Sequence, residues 1–116
     1  MLTWPQSVRV FVYTESTDMR RSFDRLSNMV KELLQEDPFS GHLFVFVNRR
    51  ADRVKILFWD RSGFCLFYKR LEQGVFRLPR GEEATREVDV VRLMLILEGL
   101  DLSGAKQQKR YKKTAY

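Results

Sequence analysis

Three apolar stretches joined by short polar turns set the tightest limit on how this chain folds. Residues 42–47 read HLFVFV, residues 54–59 read VKILFW and residues 64–71 read FCLFYKRL. They are rich in β-branched and aromatic side chains and bounded by turn-forming residues, which is the pattern of strands. The connections, NRRADR at 48–53 and DRSG at 60–63, are too short for the crossover that parallel strands need. The three strands are therefore expected to run antiparallel, as consecutive hairpins.

An earlier stretch, VRVFVY at residues 8–13, reads as another strand. A turn at Gln73 and Gly74 leaves room for a short last strand, VFRL at 75–78, before Pro79. Between the first two strands the apolar positions are Met19, Phe23, Leu26, Met29, Val30, Leu33 and Leu34. That spacing predicts an amphipathic helix. Thr17 or Asp18 would cap it, and it would end before Asp37 and Pro38. A polar loop over residues 80–86 and a second helix over 87–99, stopped by Gly99, complete the reading. The fold class is thus α+β: an antiparallel β-meander of about four to five strands packed with two amphipathic helices. A single domain is expected over residues 1–102, followed by a basic, flexible and disordered tail over 103–116.

Strand alternation sorts the side chains of the meander. One face would carry Phe44, Phe46, Lys55, Leu57, Trp59, Phe64, Leu66, Tyr68 and Arg70. The other would carry Leu43, Val45, Val47, Val54, Ile56, Phe58, Cys65, Phe67 and Lys69. The aliphatic face is the cleaner core and should take a helix. The aromatic face has two readings. Left open, its rings would stack on bases while its cations meet phosphates. Covered by the other helix, the rings are core and the cations reach out at its rim.

Charge narrows the function classes. The chain has 116 residues and a net charge of +6. Residues 49–80 hold nine basic and three acidic side chains, and residues 103–116 hold five basic and none acidic. Positive charge concentrated in this way points to a polyanionic partner. The candidate phosphate contacts are Arg49, Arg50, Arg53, Lys55, Lys69 and Arg70 in the meander. In the tail they are Lys106, Lys109, Arg110, Lys112 and Lys113. Trp59 and Tyr68 are the candidates for base stacking.

Catalytic chemistry finds little support. The one histidine, His42, stands at a strand start without an evident partner for acid–base work. One His and one Cys do not make a zinc site. Asp18, Asp24, Asp37, Asp52 and Asp60 would have to supply a metal-dependent nuclease centre, yet Asp18 sits at a cap and Asp52 and Asp60 sit in turns. Cys65 falls in an apolar strand and reads as packing. The expectation is a non-enzyme with no metal, no cofactor and no small-molecule substrate. No apolar run approaches the roughly 20 residues that span a bilayer. The first residues lack the basic and apolar segments of a secretory leader. A cytoplasmic protein with no membrane partner is expected.

Several segments resemble a known family. They are TDMRRSFDRL at 17–26, DPFSGHLFVF at 37–46, KILFWD at 55–60, GF at 63–64 and KRLEQGVF at 69–76. In order and spacing they resemble the TnpB accessory protein of the insertion-sequence-66 family of bacterial transposable elements, which is distinct from the RNA-guided nuclease of the same name. The resemblance runs from about residue 8 to residue 102. It implies an accessory factor for DNA transposition, encoded beside a transposase that carries the strand-transfer chemistry. The implied partners are DNA at the element ends and that transposase. The alternative is a protein–protein adapter of the transposition complex that does not touch DNA. Asp18, Arg20, Gly41, Trp59, Lys69 and Arg70 match the family pattern, which assigns none of them a role.

Overall fold

The computed structural model describes residues 7–79, 83–101 and 106–107. Its centre is a five-stranded sheet in the order β4-β3-β2-β1-β5. The strands are β1 (Val10–Ser16), β2 (Leu43–Val47), β3 (Arg53–Asp60), β4 (Gly63–Arg70) and β5 (Thr85–Val88). The middle of the sheet follows the alternation: Phe44 faces Leu57, Leu57 faces Leu66, and Val45 faces Ile56, which faces Phe67. All five residues of β2 are buried, as a central strand covered on both faces requires.

Each face of the sheet takes one helix. Helix α1 (Phe23–Met29) runs into a π-helical turn at Val30–Leu34. It lays Leu26, Met29, Val30 and Leu34 over Phe11, Tyr13, Phe44, Phe46 and Leu57. The aromatic face is therefore core, and the covered reading is the correct one for these rings. Helix α2 (Val90–Leu97) packs Leu93, Ile96 and Leu97 on the aliphatic face against Val10, Val45, Val54 and Ile56. Asp89 caps α2 by accepting the Arg92 backbone N–H at 2.7 Å.

The ends of the fold depart from the sequence expectations. The sheet is mixed: β1 pairs parallel with β2, because α1 carries the chain back across the sheet before β2 begins. A fifth strand, β5, occupies residues expected to be loop and helix start, pairing antiparallel with β1. Its neighbour on the sequence side, the 75–78 segment, makes no strand; Phe76 instead plugs the aliphatic core and donates its backbone N–H to the Ala51 carbonyl at 2.7 Å. Helix α1 starts at Phe23, four residues later than Met19, because residues 17–21 are spent on a turn. Asp18 closes that turn and does not cap the helix: its carboxylate accepts the Arg20 N–H at 2.9 Å, and its carbonyl accepts the Arg21 N–H at 3.1 Å. Beyond α2 a two-stranded ribbon pairs β6 (Leu100–Asp101) with β7 (Lys106–Gln107). The remainder of the expected tail, with Lys109, Arg110, Lys112 and Lys113, lies outside the described residues.

Candidate nucleic-acid interface

Parallel pairing sends β1 and β2 out of the same end of the sheet, and this brings two distant segments together. The Thr17 backbone N–H donates to the Val47 carbonyl at 2.8 Å. The turn after β1 thereby lies against the hairpin after β2. Between them is an open groove of about 600 Å³, walled by residues 16–20 on one side and by the 48–53 hairpin on the other, with Tyr68 of β4 in its lining.

The hairpin is held from within. Asn48 Oδ1 accepts the backbone N–H groups of Asp52 at 3.1 Å and Arg53 at 2.9 Å, while its Nδ2 donates to Asp52 Oδ1. Such side-chain-to-backbone bonds are what Asn contributes to turns. The loop is also tied to the next segment, with Leu71 N–H on the Asp52 carbonyl at 2.7 Å. Ala51 takes a left-handed φ of 58° to close it. With Asn48 and Asp52 satisfied by each other, Arg49 and Arg50 are left exposed at the tip, and neither forms an ion pair among the described residues.

The opposite wall carries a chelated arginine. Asp18 holds the Arg20 guanidinium through Nε at 3.0 and 3.1 Å and Nη2 at 2.7 Å. The Arg20 side chain hydrogen bond is the main reason the Asp18 carboxyl is pulled down to about 2. Arg20 itself remains 91% exposed, so the pair sits at the rim and its guanidinium is open to exchange partners. Thr17, 4% exposed, also lines the groove, and its hydroxyl has no partner among the described residues.

Tyr68 is fixed on two sides. Arg53 Nη1 donates to its hydroxyl at 3.1 Å, and Lys55 Nζ lies 4.9 Å from the ring centroid. The ring is nonetheless 48% exposed. Four arginines, Arg20, Arg49, Arg50 and Arg53, thus line one groove against two carboxylates, Asp18 and Asp52. Each carboxylate is engaged at close range, Asp18 by Arg20 and Asp52 by Asn48.

The other sequence candidates divide. Lys55 is a correction: it is 6% exposed, and its ammonium donates to the carbonyls of Met19 and Arg21 at 2.7 Å each. It anchors the groove wall from inside, and its burial keeps it from serving as a surface phosphate contact. Lys69 lies apart from the groove, on the opposite face of the sheet, and donates to the Leu97 carbonyl at the end of α2, at 2.8 Å. Arg70 pairs with Glu72 at 2.7 Å, outside the groove lining. Trp59 also lies outside the groove and packs edge-on against Phe39 at 5.0 Å and Phe64 at 5.1 Å. Gly41, with φ of 85°, makes the left-handed turn into β2 that only glycine takes freely. Lys106 is described only as part of β7. Of the groove residues, Asn48 draws no role from the sequence, Thr17 and Asp18 read as cap candidates, and Arg20 stands out through the family pattern.

His42 is structural, accepting the Arg9 backbone N–H at Nδ1 at 3.0 Å. Among the described residues no group of three or more His, Cys, Asp or Glu side chains is placed to hold a metal ion. Nor is any helix among them long and apolar enough to cross a membrane.

Comparison with known proteins places this architecture in context. Two proteins of Sinorhizobium fredii (strain NBRC 101917 / NGR234) are similar over most of their length. Uncharacterized protein y4hO is 40% identical over 101 residues, covering 87% of this chain and 88% of that protein. Uncharacterized protein y4jC is 34% identical over 103 residues, covering 89% and 88%. No solved structure gives a significant match. The family model described as IS66 Orf2 like protein matches residues 8–107, so the chain belongs to that family and is an insertion-sequence-associated accessory protein.

Proposed function

We propose that this protein assists DNA transposition by contacting DNA phosphates at the ends of its element through the groove between the 16–20 turn and the 48–53 hairpin. The observation that carries this reading is the convergence of Arg20, Arg49, Arg50 and Arg53 on one concave surface. Two of them, Arg49 and Arg50, are unpaired among the described residues. Guanidinium groups are suited to phosphate because they offer planar, paired donors. The basic tail would add phosphate contacts of the same kind. The separately encoded transposase would supply the strand-transfer chemistry, and both proteins would meet the DNA in the cytoplasm.

The test is binding of labelled element-end DNA across a salt series. Each phosphate contact formed on binding releases condensed counterions and changes the log–log salt slope by about 0.9 on duplex DNA. Replacing both Arg49 and Arg50 by Ala should flatten that slope by nearly two and weaken binding uniformly across sequences. Absence of binding to any DNA at low salt would remove the proposal.

A second reading, an adapter that holds the transposase without touching DNA, draws on Phe39. It is 57% exposed at the rim of the Phe39–Trp59–Phe64 ring cluster. An exposed apolar patch of this kind is a protein-contact feature. Co-purification with the transposase after nuclease treatment, lost on Phe39→Ser, would favour it.

A further inference from the structure

We infer that the groove takes a single-stranded nucleic-acid segment, with one base stacked on Tyr68 and its phosphates on the flanking arginines. This rests on the proposal that the groove contacts phosphates, and adds which form of nucleic acid it accepts.

Shape is the first argument. A reader of duplex DNA presents a projecting element, because the major groove, about 12 Å wide, admits a helix or a two-stranded ribbon. No such element stands beside the groove among the described residues. Both helices lie flat on the sheet and neither lines the groove. The β2–β3 hairpin does not project either, since residues 51 and 52 are stitched to the chain behind them through Phe76 N–H and Leu71 N–H, each at 2.7 Å. The arginines therefore line an open concavity, a shape that suits a splayed strand laid along it.

The state of Tyr68 is the second. Lys55 lies over one face of the ring and Arg53 fixes its hydroxyl, so the ring is held in one orientation. Tyr68 as a residue is 48% exposed, and a base would stack on the ring face that Lys55 does not occupy. A preset aromatic face beside cationic side chains is the arrangement that binds single strands with little regard to sequence. Inside a duplex both faces of a base are covered by its stacked neighbours, so a base has to be splayed out of the helix to meet this ring.

The experiment compares one short labelled oligonucleotide as a single strand and as its duplex, at equal salt, with the full-length protein. The single strand should bind more tightly. Tyr68→Ala should lower single-strand affinity by roughly 5- to 160-fold, the usual range for loss of one stacked base, and lower duplex affinity by much less. Tyr68→Phe, which keeps the ring, should stay close to the parent. Equal or tighter binding of the duplex by the unaltered protein overturns this inference and leaves phosphate contact standing. A folded Tyr68→Ala protein that binds the single strand as the parent does also overturns it. Failure to bind either form removes the phosphate proposal as well.

Discussion

Lys55 and Met19, 36 residues apart, are joined by a 2.7 Å hydrogen bond from the lysine ammonium to the methionine carbonyl. The same ammonium reaches the Arg21 carbonyl, so the middle strand of the hairpins fixes the turn that walls the groove. Lys55 is nearly inaccessible, and removing its donor would leave two carbonyl oxygens unsatisfied. Lys55→Met should therefore cost about 1–3 kcal/mol in urea unfolding, the range for orphaned buried polar groups. A variant as stable as the parent would show that the tether is not structural.

If the groove binds phosphate as proposed, Asp18 competes with DNA for Arg20. The carboxylate occupies the guanidinium that a phosphate would otherwise take, and it adds negative charge at the rim. Asp18→Asn should raise DNA affinity several-fold and steepen the salt slope by about one unit. If the variant binds more weakly, Asp18 serves to aim Arg20, and the competition account fails.

The acid response should come from Asp18 and Glu87. The Arg9 side-chain hydrogen bond lowers the Glu87 carboxyl from its ordinary 4.5, and Arg20 lowers Asp18 from 3.8 to about 2. A carboxyl lowered by folding stabilises the fold fully above its ordinary value and loses that contribution as pH falls through the lowered one. Stability from these pairs should be level from pH 8 to about 5 and decline below that. Both pairs are exposed, so the effect is modest. Glu87→Gln should be less stable than the parent at neutral pH and converge with it in acid. Thermal midpoints measured against pH that run parallel for the two proteins would contradict the assignment.

Asp89 caps the N-terminus of α2 through its 2.7 Å bond to the Arg92 N–H. Asp89→Ala should cost about 0.5–2 kcal/mol. Because α2 covers the aliphatic face of the sheet, the loss should appear in global unfolding and not as local fraying. Chemical denaturation followed by fluorescence distinguishes the two.

The hairpins were legible because their loops are short. Once residues 48–53 and 60–63 are turns, alternation decides that Phe44, Leu57 and Leu66 share one face and Val45, Ile56 and Phe67 the other. The parallel β1–β2 pair was not assigned from the sequence, because a connection that includes a helix is long enough to return the next strand in either direction. Nor was β5: its four residues include Arg86 and Glu87, which face solvent on an edge strand and read as loop. The groove depends on both of these longer-range features. Arg49 and Arg50 were recognisable by charge, but that Arg20 stands across from them follows only from β1 and β2 leaving the sheet at the same end. Lys55 shows the opposite failure, as charge alone cannot say that a lysine is spent on two carbonyls.

The central claim, that the groove is where DNA phosphates land, is tested most directly by amide chemical-shift mapping of the isotopically labelled protein during titration with element-end DNA. The account predicts that the largest shifts fall on residues 16–20, residues 48–53 and Tyr68, and that those on α2 stay near zero. Shifts centred on α2 or on the Phe39–Trp59–Phe64 cluster, with the groove unperturbed, would contradict it.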